Sequence, residues 1–372
     1  MQEKDWEFLL RRIDNDECTP IIGPAVNEGL LPGRRELAES WAAEHRYPLP
    51  DSHNLARVAQ FLAVDQYEFF PNDQMSQVIA DAGAPDFDVP RQPHDQLAAL
   101  NLPLYITTNY DDFLVQALQN RRCQPSRDFC CWNRLLLGRH EGLDPNYKPA
   151  PATPLVYYLH GHVSAPESLV LREDDYLDFL VHMAGKEYKL PPQVIQALGE
   201  TSLLFIGYNP DDWEFRVLLR GLIKTESSLR RISVTAQFPL PADTPESTQQ
   251  RAEEYLKAYF RDIDRDMRVY WGTASEFLAE IADRQAAGHS RVEEPDGSAE
   301  GRIDQVRLYH QMNEHFSRED LLTIAFEFDI DKGNLPEIKK SLTRELILEL
   351  KNRQRLTELI DIVRRERPMV EW

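Results

Sequence analysis

Four short apolar runs each break off into a turn built from glycine, asparagine, histidine or aspartate, and this pattern restricts the fold more than any other feature of the chain. Thr19–Ile22 runs into Gly23-Pro24-Ala25-Val26-Asn27, and Leu104-Tyr105-Ile106 into Thr107-Thr108-Asn109-Tyr110-Asp111-Asp112. Leu155–Leu159 leads straight to His160-Gly161, and Leu203–Ile206 to Gly207-Tyr208-Asn209. Uninterrupted apolar runs of this length are what strands buried on both faces of a parallel sheet look like. In an open sheet of that kind ligands bind in the crevice beyond the carboxyl ends of the strands. The four turns would therefore deliver their polar residues to one crevice if they share one sheet.

The segments between these runs have helical spacing. Residues 5–13, 37–44, 54–63, 94–100, 113–118, 170–183, 191–198 and 249–260 read as helices. Asp51 or Ser52 is placed to cap the third of these, and Asp211 or Asp212 to cap a further helix over Trp213–Arg220. Arg231–Thr235 and Met267–Trp271 read as the last strands. Strands alternating with helices define an α/β fold with a mainly parallel sheet. Residues 124–154, rich in Pro, Arg and aromatic residues, show no period and read as an irregular excursion with a strand around Asp128–Trp132; long insertions of this kind are often lids, and a plain buttress is the alternative.

At 372 residues the chain exceeds one average domain. A polar, apolar-poor stretch at Gly288–Gly301 divides it, giving an α/β domain over residues 1–285, a linker over 286–302 and a second domain over 303–372. The second part reads as all helix. Ser317 with Asp320 forms a capping box, and apolar stripes recur at 342/346/350 and at 356/359/360/363. The formal charge of −20 is uneven: residues 301–372 carry 13 Lys and Arg against 14 Asp and Glu, so nearly all the excess lies in the first 300 residues. That balance argues against broad nucleic-acid binding, which needs basic surface to displace counterions. The chain contains no run of 18 apolar residues, and its N-terminus lacks the apolar core of a signal peptide, so a cytoplasmic protein without a membrane span is expected. The cysteines Cys18, Cys123, Cys130 and Cys131 form no CxxC pair, which supports neither a disulfide framework nor a zinc ribbon.

Each chemically interesting residue also has an ordinary reading. Asn109 is a common turn residue after a strand. Asp111 can cap the helix at Phe113. His160 can be a strand-end histidine bonded to backbone, with His162 as a fallback for acid–base work. Together, an amide, a carboxylate and an imidazole at separate strand ends suit water-assisted chemistry on a bound nucleotide. The glycine of Gly23-Pro24 would let backbone approach a phosphate at the start of a helix. HExxH, nucleophile-elbow and phosphate-loop motifs are absent from the sequence, and the pairs Asp111-Asp112, Asp174-Asp175 and Asp211-Asp212 are adjacent residues whose side chains diverge.

Thr108-Asn109-Tyr110-Asp111, His160-Gly161 and Gly207-Tyr208-Asn209, in this order and each after a strand, resemble the sirtuin-like domains of bacterial defence NAD-cleaving enzymes over roughly residues 15–285. The first turn departs from that family, with Gly23-Pro24-Ala25 where Gly-Ala-Gly is usual. The zinc-binding cysteine pairs of protein-deacetylating sirtuins are missing, which favours NAD hydrolysis over deacylation. Residues 303–372, with His315-Phe316-Ser317, Asn334-Leu335-Pro336, Arg344-Glu345-Leu346 and Arg365-Glu366-Arg367-Pro368, resemble the effector-associated, death-like adaptor domains of bacterial conflict systems.

The resemblance implies a Rossmann-like sheet followed by a death-like helical bundle, and an NAD glycohydrolase effector that releases nicotinamide and ADP-ribose on recruitment. In that reading Asn109, His160 and Asp111 are catalytic. Gly23, Ala25, Val26, Asn27, Thr108, Gly161, Gly207, Tyr208 and Asn209 bind the dinucleotide. NAD is the substrate, and no zinc is expected. The expected partner is another protein bearing a like domain, engaged through residues 303–372, with homo-oligomerisation as a further expectation and no nucleic acid or membrane contact. The alternative from another class is a catalytically silent NAD or ADP-ribose sensor signalling through the helical tail.

Overall fold

In a parallel sheet covered on both sides, successive strand residues must be apolar in both directions, and this chain meets that demand. A computed structural model describes residues 1–133, 136, 140, 142–184, 190–209, 234–239, 244–259, 267–293, 305–328, 330, 342–343, 346–347, 349–350, 355–367 and 370. Seven strands, β1 (Cys18–Ile22), β2 (Leu104–Thr107), β3 (Ser126–Phe129), β4 (Leu155–Tyr158), β5 (Ser202–Ile206), β6 (Val234–Phe238) and β7 (Met267–Trp271), form one sheet in the order β3-β4-β2-β1-β5-β6-β7. Every pairing is parallel. This is a Rossmann-like sheet. The chain leaves β1 toward β2, reaches the β3 edge, and returns to β5 on the other side of β1, so the topological switch point falls at the central strand.

The helices are α1 (Glu3–Asp14), α2 (Arg34–Glu44), α3 (Leu55–Asp65), α4 (Phe70–Ala82), α5 (Pro93–Ala99), α6 (Phe113–Asn120), α7 (Glu173–Ala184), α8 (Pro192–Glu200), α9 (Glu246–Tyr259) and α10 (Ala274–Glu293). Alternate strand residues divide between two cores. Ile21, Ile106, Tyr157, Phe205 and Phe238 pack against α7, α8 and α9. Ile22, Tyr105, Tyr158 and Ile206 face α1, α5, α6 and α10. Truncating one of these side chains costs about 3–5 kcal/mol for an aromatic, so the two cores fix the register of the strands and the height at which each turn emerges.

A third apolar cluster holds α2, α3 and α4 together through Leu37, Trp41, Val58, Leu62, Met75 and Ile79. This helical insertion between β1 and α5 was only partly visible in the sequence, because α4 carries a weak apolar stripe. The cap of α3 is Asn54, whose side chain accepts the Arg57 N–H, in place of Asp51 or Ser52. Asp51 instead pairs with Arg57 and accepts from the Tyr47 hydroxyl. α7 begins at Glu173, three residues after the expected start, because Val170 and Leu171 are buried in the connection. Asp211 and Asp212, the 213–220 helix and residues 231–233 lie outside the described residues.

The chain divides into two compact units, Met1–His289 and Ser290–Trp372. α10 continues to Glu293, past residue 285 where the sequence places the end of the first domain. In the second unit, α11 (Gln305–His315), α12 (Arg318–Glu327) and α13 (Leu356–Glu366) enclose a core of Leu308, Met312, Phe316, Leu342, Leu346, Leu350, Leu359 and Val363. Both expected stripes contribute to it. Ser317 accepts the Asp320 N–H while the Asp320 carboxylate accepts the Ser317 N–H, which closes the capping box.

Candidate active site at the sheet switch point

The turns after β1, β2 and β5 lie side by side because their strands do. Gly23 N–H donates to Ile206 O at 2.8 Å and Ala25 N–H to Gly207 O at 3.0 Å, tying the first turn to the turn after β5. The two glycines make this approach possible. A Cβ on Gly23 would stand 2.5 Å from Gly207 O and 2.9 Å from the Tyr208 ring, and one on Gly207 would stand 2.8 Å from Gly23 O. Gly23 therefore serves the packing of one turn on another, and its amide is already spent, which differs from the phosphate cradle expected of it. Tyr208 is buried, with its hydroxyl 3.1 Å from Thr108 Oγ1. Residues 24–27 form a single 3-10 turn.

These turns floor a cavity of about 780 Å³, within the roughly 300–1,000 Å³ usual for ligand sites. Of the residues expected to act or bind, Ala25, Asn27, Thr108, Asn109, Asp111 and Asn209 line it. Gly23, Val26, His160, Gly161, Gly207 and Tyr208 do not. The helical insertion supplies the facing wall through Leu55, Met75 and Ile79, and no described residue of the 124–154 excursion contributes. The wall also carries Arg34 and Arg35 in the first turn of α2, whose Gly33 cap offers no side chain. A helix N-terminus favours an anion; Arg35 is paired with Glu39 at 2.8 Å, and Glu28 and Glu36 line the same wall, so Arg34 and the backbone N–H groups are the stronger attraction. Sequence reasoning missed both arginines, since nothing in their spacing links them to the strand-end turns.

Asn109 is held in a defined orientation. Its backbone N–H donates to Thr107 Oγ1 at 3.0 Å, and its Nδ2 donates to Gly23 O at 3.2 Å. The amide oxygen has no hydrogen bond among the described residues and is the atom left to a ligand. Asp111 is 4% exposed; its Oδ1 accepts the Phe113 N–H and its Oδ2 accepts from Asn27 Nδ2 at 2.7 Å. Asp112 rather than Asp111 stands at the N-cap of α6 and makes no side-chain cap bond; Asp111 bonds the Phe113 N–H from the preceding turn. Burial pushes its carboxyl above the ordinary range, opposed by the bonds from Asn27 and Phe113. Asn27 also meets His94, whose Nε2 lies 2.9 Å from Asn27 Oδ1. His94, expected only as part of a helix, is buried beside Phe113, and desolvation lowers its pKa to about 4. Its partner is 67 residues away, so no local pattern could have exposed the pair.

The turn after β4 is different. Gly161 has φ +87°, and a Cβ there would overlap the carbonyl of Ser168. His160 is 2% exposed and packs edge-on to Tyr176 and Phe179 of α7, with no hydrogen bond to Nδ1. Desolvation, assisted by the Arg34 cation, lowers its pKa to about 3. In this arrangement it is a neutral imidazole behind the cavity wall, a weak base as it stands. His162 is turned to a different cluster: Nε2 lies 3.1 Å from Asp112 and Nδ1 2.7 Å from Ser164. Burial alone would raise Asp112, but hydrogen bonds from His162 and Arg127 hold its carboxyl at about 2. Asp111 and Asp112 diverge as expected of neighbours. Among the described residues no group of three or more His, Cys, Asp or Glu is placed to hold a metal ion, and no helix is long and apolar enough to cross a membrane.

An all-parallel sheet with a cavity at its switch point, floored by an Asn and an Asp after the second strand, is a Rossmann-like arrangement, and open sheets of this kind bind ligands at that crevice. Residues 103–263 match the family model of the SIR2-like domain and residues 308–368 that of effector-associated domain 7, so the chain joins a SIR2-like region to an effector-associated one. It is similar to Defense-associated sirtuin 2 of Bacillus subtilis, with 27% identity over 144 residues, 37% of this chain and 12% of that protein. It is also similar to NAD(+) hydrolase ThsA of Acinetobacter baumannii (strain 532279), with 25% identity over 181 residues, 48% of this chain and 33% of that protein. The matches thus span a third or less of these relatives' length.

Proposed function

We propose that the first unit hydrolyses NAD at the bond between nicotinamide and ribose C1′, as part of a defence system in which the helical unit, residues 303–372, recruits a protein bearing a like domain. The observation that carries this reading is the switch-point cavity, where the Asn109 amide oxygen and the buried Asp111 carboxylate stand on the floor and Arg34, Arg35 and the α2 N-terminus line the wall. The relative named as an NAD(+) hydrolase supports the same substrate. The pyrophosphate would lie toward α2, where a helix N-terminus and the Arg34 guanidinium favour negative charge. The nicotinamide ribose would lie over Asn109 and Asp111.

In the reaction the C1′–N bond breaks, neutral nicotinamide leaves with the bonding pair, and a water oxygen joins C1′. The water gives up one proton. Asn109 Oδ1 would accept a hydrogen bond from that water and fix its position, and Asp111 would orient the ribose beneath the positive charge that develops at C1′. His160, which stands behind the wall in this arrangement, would take the water proton only once a shift of the wall at Arg34 and Tyr176 brings its imidazole to the cavity. The neutral imidazole has the required lone pair; burial is the main cause that lowers its basicity, and a phosphate that neutralises Arg34 would lift the lesser, electrostatic part.

One observation favours the silent-sensor alternative: His160 is buried, unpartnered at Nδ1 and outside the cavity lining. Incubating the full chain with NAD and separating the products decides between the two. Equimolar nicotinamide and ADP-ribose are expected. Saturable binding with full recovery of NAD, both alone and in the presence of the recruited partner, would establish the sensor instead.

A further inference from the structure

Four side chains form a hydrogen-bonded series that enters the cavity floor from behind. Gln92, His94, Asn27 and Asp111 are all buried, and they come from three separated parts of the chain. The direction of each bond follows from the first. Gln92 caps α5, and its Oε1 accepts the Asp95 N–H at 2.8 Å, so its Nε2 is the group turned to His94 Nδ1 at 3.0 Å. A donor facing Nδ1 makes that nitrogen an acceptor and leaves the imidazole proton on Nε2. Nε2–H then donates to Asn27 Oδ1 at 2.9 Å, which turns Asn27 Nδ2 toward Asp111 Oδ2 at 2.7 Å. The bidentate Arg121–Asp95 pair anchors α5 at the same end.

We propose that His94, fixed in one tautomer by Gln92, is a positioning residue that locks the Asn27 amide with its donor side toward Asp111 and so keeps Asp111 in place on the cavity floor. This rests on the reading of that floor as the ribose-binding part of a hydrolase site. Without His94 the Asn27 amide is free to turn over. Its carbonyl oxygen can then accept from a protonated Asp111 carboxyl, so the amide no longer favours the ionised form alone. The low dielectric of a buried site magnifies this difference. Asn27 lines the cavity and is the point at which a residue outside it acts on one within it. The ring of His94 meets Phe113 edge-on at 5.6 Å, so the residue whose N–H holds Asp111 Oδ1 also packs the imidazole that controls Oδ2.

The direct test follows the Asp111 carboxyl carbon by 13C NMR through a pH titration in the wild-type chain, His94→Phe and His94→Gln. Phe fills the space without a donor; Gln places an N–H near the position of Nε2. The Asn27 bond lowers the Asp111 pKa, so His94→Phe is expected to raise it by roughly 1 unit and His94→Gln to restore it. The other ionisable groups about Asp111 among the described residues are Asp112, His162 and Tyr158 at the strand ends and Glu28, Arg34, Arg35, Glu36, His53 and Tyr110 around the cavity, and all are present in each of the proteins compared. Gln92→Met, which releases the tautomer while keeping the imidazole, should shift Asp111 in the same direction and serves if His94→Phe fails to fold. Identical titrations in these proteins would overturn the proposal. With NAD as substrate, kcat of His94→Phe should fall by on the order of tenfold with a smaller change in KM, and kcat equal to wild type would remove the residue from the reaction. Absence of nicotinamide release from wild type, both alone and with the recruited partner, would refute only the hydrolase reading, since the carboxyl titration does not depend on turnover.

Discussion

The turns after β2 and β4 arise from adjacent strands in register, Leu104 opposite Leu155 and Thr107 opposite Tyr158, yet they are built on opposite principles. After β2, Asn109 and Asp111 are oriented by bonds to Gly23, Thr107, Asn27 and Phe113, and both reach the cavity. After β4, His160 is packed between aromatic rings with its Nδ1 unpaired and does not reach the cavity. A buried polar atom left without a partner costs about 1–3 kcal/mol, and satisfied networks rigidify a site. The floor is therefore preorganised, whereas His160 keeps an unmet Nδ1 behind the wall, where Tyr176 packs on its ring and accepts a hydrogen bond from Arg34 at 2.8 Å.

The largest expected effect tests the preorganised side. Asn109→Ala should reduce NAD turnover by on the order of a hundredfold to a thousandfold while the far-UV spectrum and unfolding midpoint stay near wild type, read by nicotinamide release and thermal melts. Turnover within a few-fold of wild type would place the water-positioning group elsewhere.

The next concerns the β4 turn as structure. Gly161→Ala introduces a Cβ into the Ser168 carbonyl at a positive φ, and should destabilise the first unit by about 2–4 kcal/mol in urea unfolding. A Gly161→Ala protein as stable as wild type would mean that the turn can open.

The two sides also separate through pH. His160 and His94 are depressed to about 3 and about 4, below the roughly 6.5 of an unfolded histidine. Between those values the unfolded chain binds more protons, so stability is complete above about pH 6.5 and falls as the pH drops through the window. Each contributes a slope of up to about 1.4 kcal/mol per pH unit. His160→Leu should remove one such slope in denaturant melts from about pH 6.5 to about pH 4; an unchanged slope would mean that His160 is solvated. The smallest effect is expected of Arg34→Ala. Loss of the nearby cation should raise the His160 pKa, seen by NMR titration of the imidazole, by less than about 1 unit.

Most of the α/β frame was legible because burial on both faces forces apolar runs, and the turn that follows each run marks its carboxyl end. β1, β2, β4 and β5 emerged where Thr19, Leu104, Leu155 and Leu203 placed them. The helical unit was legible from Ser317 with Asp320 and from the 342/346/350 stripe. What escaped was what depends on three dimensions. Gly23 reads as a phosphate-turn glycine in sequence, but its lack of a side chain is consumed by Gly207 O and Tyr208. His94 and Asn27 are joined by one hydrogen bond across 67 residues. The cavity wall comes from α2, α3 and α4, whose apolar residues read only as core, while the irregular 124–154 stretch that resembled a lid contributes no described residue to it.

The claim that the β2 floor is the reacting end of a dinucleotide site is tested most directly by a crystal structure of Asn109→Ala soaked with NAD. Intact NAD is expected in the switch-point cavity, its pyrophosphate at Arg34 and the α2 N-terminus and its nicotinamide ribose over Asp111 and position 109. NAD bound with that ribose away from Asp111, or absent from the cavity, would contradict the claim.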